Sequence, residues 1–190
     1  MTKLRAIVFY TVLLNGCISM QYQNNMHLNN LTYCTDFASD YGGAKLSALE
    51  DAAHLAVQRA NISIQEVTGK GSVRLVYYNC KNKIKIEHFD DKGSIGFNRI
   101  AVDRGINGKE LGSTTIVLNK KWVEYWLYFD PYGDWEADYH YAVVTIGRLI
   151  MHEIGHGLGL DHSIYPLDIM FPVYNHTQPL NFDDIVFRKF

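Results

Sequence analysis

The chain of 190 residues holds three cysteines and four prolines. Three cysteines cannot build the dense disulfide scaffold that replaces a core in small secreted domains, so the fold must rest on buried apolar side chains. With so little proline there is no Pro-rich linker, and no internal repeat or low-complexity tract marks a second domain. Neither sign of charge prevails, since 18 Lys and Arg face 20 Asp and Glu for a formal net charge of -2. The cations are scattered rather than gathered into a stripe, which argues against nucleic acid as a partner. The apolar run Ala6 to Leu14 is far shorter than the roughly 20 residues needed to span a bilayer.

What remains is 47% hydrophobic and 20% charged, the balance of one globular domain with a sizeable core. Lys3 and Arg5 ahead of Ala6 to Leu14 have the form of an export signal, so the chain is expected to be exported, secreted or held at the cell surface. The run ends in Leu14-Asn15-Gly16-Cys17, which resembles a bacterial lipobox with Cys17 as the lipidated residue. Such an anchor is the one membrane association expected. Cys34 and Cys80 then remain as an even pair, and a bridge between them would be worth about 4 kcal/mol in the chain-entropy model. Two free thiols are the alternative, because sequence does not show that the sulfurs meet.

Ser47 to Ala60 carries apolar residues at Leu49, Ala52, Ala53, Ala56, Val57 and Ala60, the three-four spacing of an amphipathic helix. Short β-branched or alternating runs predict five strands, at Ile62–Val67, Val73–Tyr78, Ile84–Phe89, Ile95–Val102 and Thr114–Asn119. An aromatic, acidic loop is predicted over KKWVEYWLYFDPYGDWEADYH, and a second helix from about Tyr139 to Leu158. On that helix Arg148, His152 and His156 share one face, expected to meet a cleft, while Val143, Ile146, Ile150 and Ile154 share the other.

Residues 152 to 163 read HEIGHGLGLDHS. Histidines four apart on a helix are neighbours and can grip one zinc ion between them. A third ligand cannot come from the same helix without crowding. Gly159 permits the chain to leave the helix so that His162 swings in from the side. Glu153 is rotated off the metal but within reach of a water on it, the position of a general base for hydrolysis. Five fixed residues of this kind recur by chance in about one chain of this length in 10⁵.

This HExxHxxGxxH pattern marks the metzincins, and HEIGHGLGLDHS followed by PLDIMFPVY resembles the matrixin branch. The resemblance implies an α+β, zincin-like fold: a mixed, mostly parallel five-stranded sheet with an active-site helix and a C-terminal helix. Residues 1–16 are then a signal peptide, 17–42 an N-terminal segment and 43–190 the catalytic domain. It implies one catalytic zinc held by His152, His156 and His162, Glu153 as base, and Met170 in the turn beneath the metal. Pro172 and Tyr174 would wall the S1′ pocket and Arg148 would close its floor. Asp183 and Asp184 would support the Met-turn or the mature N-terminus from the C-terminal helix.

The expected partner is an extended protein or peptide substrate, paired along the strand containing Gly96 to Ala101, with the enzyme a monomer. Calcium is common in the family, and Asp130, Asp134 and Asp138 are the candidate ligands here. His88 stands alone where vertebrate matrixins pair histidines around a second zinc, so none is expected. A cysteine switch of the matrixin kind is also missing, which leaves Cys34 or Asp36 as candidates to reach the zinc from the N-terminal side. Two other functions share these residues: a metzincin fold kept for binding alone, and a metalloamidase acting on cell-wall peptides.

Overall fold

A computed structural model describes residues 12–13, 31–38, 40–68, 73–76, 80, 82–89, 96–104, 110–129, 133–158, 160–165 and 168–174. In chain order the elements are β1 (Val12–Leu13), β2 (Leu31–Asp36), α1 (Gly43–Thr68), β3 (Val73–Leu75), β4 (Asn82–Glu87), β5 (Gly96–Arg104), β6 (Glu110–Asn119), α2 (Lys120–Tyr128), α3 (Trp135–Gly157) and β7 (Val173–Tyr174). The main sheet has the order β3-β2-β4-β6-β5. Its first four strands run parallel, and β5 is an antiparallel edge strand on β6, with Gly96 opposite Leu118.

Four of the five predicted strands lie in this sheet, and the one predicted at Ile62–Val67 does not: those residues are the last turns of α1. β-branched side chains lower helix propensity only slightly. Ala53, Ala56, Ala60 and Ser63 continue one buried stripe at helical spacing, so packing carries the helix past its weak residues. The strand that completes the sheet is β2, within the stretch read above as an N-terminal segment. It lies between β3 and β4, and its Tyr33 is fully buried.

The predicted aromatic loop likewise contains a helix, α2. Asn119 caps it by accepting the Lys121 N–H at 3.1 Å, and Val123 and Trp126 are buried one turn apart. The predicted C-terminal helix with Asp183 and Asp184, together with Cys17, Asp130 and Gly159, lies outside the described residues.

The core forms where α1 and α3 pack on each other and on the sheet. Ala52, Ala53, Ala56 and Ala60 present a surface of methyl groups on α1, which permits the close approach of α3. In β4, Ile84 and Ile86 point inward while Lys83 and Lys85 alternate outward. Asn82 begins β4 as a buried polar clamp. Its Nδ2 donates to the Thr32 carbonyl at 3.0 Å and its Oδ1 accepts the Thr114 N–H at 2.8 Å, tying β2 to β6 across β4.

Cys34 on β2 is joined to Cys80 by a disulfide, with Cα atoms 5.8 Å apart. The bridge closes a loop of 46 residues that contains all of α1 and β3. Replacing both cysteines by serine is expected to lower the unfolding free energy by about 4 kcal/mol on the chain-entropy model, read from urea unfolding as a lower midpoint with a steeper slope, since the unbridged unfolded chain exposes more surface. An equal midpoint in the two proteins would show that the bridge does not constrain the unfolded chain.

Candidate metal centre

Helix α3 is buried on every side from Tyr141 to Gly155, instead of dividing into a cleft face and a sheet face. The reason is its position, since α1 covers one flank, the sheet another and the turn around Met170 its C-terminal end. Arg148 is accordingly 7% exposed, a buried side chain rather than a surface arginine.

Asp134 caps α3 by accepting the Glu136 N–H at 2.9 Å, and Asp138 lies in the helix's first turn. Both acids thus serve the positive end of the helix dipole, and neither belongs to a metal-competent cluster among the described residues. Cys34 is in the disulfide and Asp36, like the two acids of α3, belongs to no metal-competent group among the described residues, so neither fills the role expected of it from the N-terminal side. His88 is exposed.

His152, His156 and His162 do converge, with ligand nitrogens all within 4.8 Å of one another. The His156 Nε2 is 3.1 Å from that of His152 and 3.2 Å from that of His162. Tetrahedral bonds of about 2.0–2.1 Å to one ion would place nitrogens roughly 3.3 Å apart, close to these separations.

The outer nitrogens show why a cation suits the space. His152 Nδ1 donates to the Ile169 carbonyl at 2.7 Å, and His156 Nδ1 donates to the Leu160 carbonyl at 2.9 Å. A carbonyl can only accept, so each ring carries its proton on Nδ1 and turns an Nε2 lone pair inward. Lone pairs facing one another at hydrogen-bond distance repel unless an electrophile lies between them. The three histidines therefore fit a zinc ion.

Local chain geometry sets this up. The Leu158 N–H closes α3 on the Ile154 and Gly155 carbonyls, and the Leu160 N–H also returns to Gly155, at 2.9 Å. The carbonyl of Leu160 is thereby aimed at His156 one turn back. Beyond it, the Ser163 N–H donates to the Met170 carbonyl at 2.9 Å, drawing the Met170 turn under the histidines. Met170 is 3% exposed and Pro172 half-buried, while Tyr174 is in β7, which pairs antiparallel with β1.

Burial sets the protonation of the ligands. It pushes His152 down to about 3, assisted by the charge of His156 and opposed by the Ile169 hydrogen bond. Burial takes His156 down to about 4 against the pull of the Leu160 carbonyl, and lowers His162 as well. His152 and His156 thus stay neutral, the form a metal needs, well below the ordinary histidine value, and His162 is shifted in the same direction.

Glu153, fully buried, comes against β5 at Gly96. A Cβ added to Gly96 would lie 3.2 Å from Leu149 Cδ1 and 3.5 Å from Glu153 Oε1, so the missing side chain is what lets α3 lie this close to the edge strand. Tyr33 completes the surroundings. Its hydroxyl accepts from Thr114 Oγ1 at 3.1 Å, and burial, with the Glu153 charge adding to it, raises its pKa to about 12. It stays a neutral phenol within the field of that carboxylate.

The sequence had singled out neither Tyr33 nor Asp168, whose Oδ1 accepts the Met170 N–H at 2.9 Å. Both lie far from the motif or outside its fixed positions. The carbonyls of Leu160 and Ile169 were equally hidden, because a backbone acceptor has no residue identity.

The Matrixin family model matches residues 29–186. A stretch of 36 residues, 18% of this chain and 5% of the relative, is 53% identical to Matrix metalloproteinase-9 of Canis lupus familiaris. Among solved structures, High choriolytic enzyme 1, a hatching enzyme zinc-protease from Oryzias latipes, matches over 74% of this chain and 48% of its own. That likeness is loose, at 15% identity and a TM-score of 0.32. The chain thus spans about half of that structure and a twentieth of the curated relative. Matched over most of its length by the family model, with three histidines placed to take a metal ion, the chain belongs to the matrixin family of zinc metalloproteases.

Proposed function

We propose that the chain is a zinc-dependent endopeptidase, with Glu153 as the general base for hydrolysis of peptide bonds in extended protein substrates. The observation that carries this reading is the set of three imidazoles whose Nε2 atoms converge, two of them fixed as Nδ1–H by backbone carbonyls, with a carboxylate on the residue after His152. Zinc held there supplies Lewis acidity, which polarises a carbonyl and brings a water's pKa towards neutrality. Glu153 takes the proton of the attacking water on its carboxylate and hands it to the departing amine, so both halves of the peptide bond leave with balanced protons. A module for binding alone would have no use for a buried base at that position.

The substrate lies along β5, the edge strand nearest Glu153, because an edge with backbone groups turned outward reads an extended peptide before its side chains. Arg148 closes the S1′ pocket from one turn before His152, and Pro172 and Tyr174 wall it. A buried cation there shortens the pocket and favours small or medium P1′ residues. Export, with Cys17 as a lipid anchor, puts the enzyme outside the cell, where matrixins generally act; no helix among the described residues is long and apolar enough to cross a membrane.

The test is cleavage of a quenched fluorescent peptide library by the zinc-loaded chain, beside casein and purified cell wall. Cuts in peptides and casein with small or medium P1′ residues are expected, and Arg148→Ala should widen the preference towards large side chains. Release of products from cell wall alone would shift the function to an amidase.

A further inference from the structure

The peptide unit between Ile169 and Met170 is held at both ends by side chains. Its N–H donates to Asp168 Oδ1 at 2.9 Å, and its C=O accepts from His152 Nδ1 at 2.7 Å. Asp168 and His152 are 4% and 3% exposed, so water does not compete strongly for either bond. The turn is closed on both sides as well. The Asp168 N–H donates to the Tyr165 carbonyl at 3.0 Å, the Phe171 N–H to the Asp168 carbonyl at 3.0 Å, and the Ser163 N–H to the Met170 carbonyl at 2.9 Å.

We propose that Asp168 is a positioning residue for His152, acting through this one peptide plane. A carboxylate accepting the N–H makes the same amide's carbonyl a stronger acceptor, since hydrogen bonds in a chain polarise one another. The carbonyl then fixes the imidazole as the Nδ1–H tautomer, sets its ring orientation and raises the donor strength of Nε2. A carboxylate bonded directly to a ligating histidine has this effect on a metal site. Here the carboxylate works at one remove, with a backbone amide as the connector. Burial gives the arrangement its force, because the chain of bonds from Asp168 to His152 is shielded from solvent along its length.

Asp168 lies between the third histidine and the methionine, outside the HExxHxxGxxH pattern, so its role follows only from the turn's geometry. The inference rests on His152 being a zinc ligand, and two readouts keep that premise separate.

The first is the zinc dissociation constant of the full, disulfide-bonded chain by chelator competition, for wild type, Asp168→Ala and Asp168→Asn. Asp168→Ala is expected to weaken zinc binding by about 10–100-fold, and Asp168→Asn, which keeps an Oδ1 acceptor, to recover most of it. The second is the nitrogen-15 NMR signature of His152 in the zinc-free chain. The wild type and Asp168→Asn should show a slowly exchanging Nδ1–H, and Asp168→Ala a mixture of tautomers.

Loss of stability alone in Asp168→Ala, with zinc affinity and tautomer unchanged, overturns the proposal. Should that variant not fold, Asp168→Leu, close in volume and without an acceptor, takes its place, and equal affinity of the Asp, Asn and Leu forms overturns it too. A wild type that does not bind zinc, but whose His152 tautomer still answers to residue 168, would remove the metalloprotease reading and leave the positioning role standing.

Discussion

Glu153→Ala, purified with the same zinc content as wild type, is expected to cleave peptides about 10² to 10⁴ times more slowly, the range in which a positioned general base contributes. The fall should appear in kcat with KM little changed, because the carboxylate is engaged in the reaction and not in holding the substrate. Equal zinc content is an essential control, since Glu153 is fully buried against Gly96 and its truncation opens a space beside α3. Glu153→Gln keeps the shape while removing the base, and should lose nearly as much. A zinc-loaded Glu153→Gln enzyme that retained a tenth of wild-type activity would assign the proton transfer to another group.

His156→Ala is expected to lose zinc. Structural sites with four ligands bind with about 10–16 kcal/mol, so roughly 3 kcal/mol falls to each ligand and its removal weakens binding about a hundredfold or more. Metal content after dialysis against a chelator measures this, and zinc added back should restore activity to wild type but not to the variant. His156 has a double role: its Nε2 faces both other ligands, and its Nδ1 ties α3 to the Leu160 carbonyl. Retention of stoichiometric zinc by His156→Ala would mean that the three histidines do not act as one site.

Acid should act on the metal-free chain through the same groups. Burial holds His152 at about 3 and His156 at about 4 in the folded state, while the unfolded chain takes up protons near the ordinary value of about 6.5. The unfolded state then binds more protons, so metal-free stability falls as pH drops below about 6.5 and levels off only below the folded values. The zinc-loaded chain should resist over part of that window, because the ion occupies the nitrogens that would be protonated.

The centre was legible in the sequence because its geometry is local. Four residues make one turn of any α-helix, so His152 and His156 must be neighbours wherever α3 lies, and His162 is near enough along the chain to join them. The pairing of Cys34 with Cys80 was narrowed by number, with Cys17 set apart by its position after the apolar run.

Other elements were hidden by competition between weak local preferences and packing. Ile62, Ile64 and Val67 favour a strand taken alone, yet the buried stripe running through Ala60 to Ser63 keeps them in α1. β2 is short and polar at several positions, and becomes a strand because β3 and β4 flank it and Tyr33 fills the core. The loop before α3 hid α2, whose start is set by one side chain at Asn119 and whose buried residues are only two.

By itself, then, the sequence determined that three histidines gather, that a glutamate follows the first of them, and which helix presents them, since these follow from spacing within a dozen residues. Tertiary structure decided which proton each histidine carries, how deeply Arg148 and Glu153 are buried, and that Asp168 stands behind His152. Those features depend on backbone carbonyls and on segments brought together across the fold. Hydrogen-bond direction and desolvation are set by neighbours in space, and spacing along the chain does not specify them.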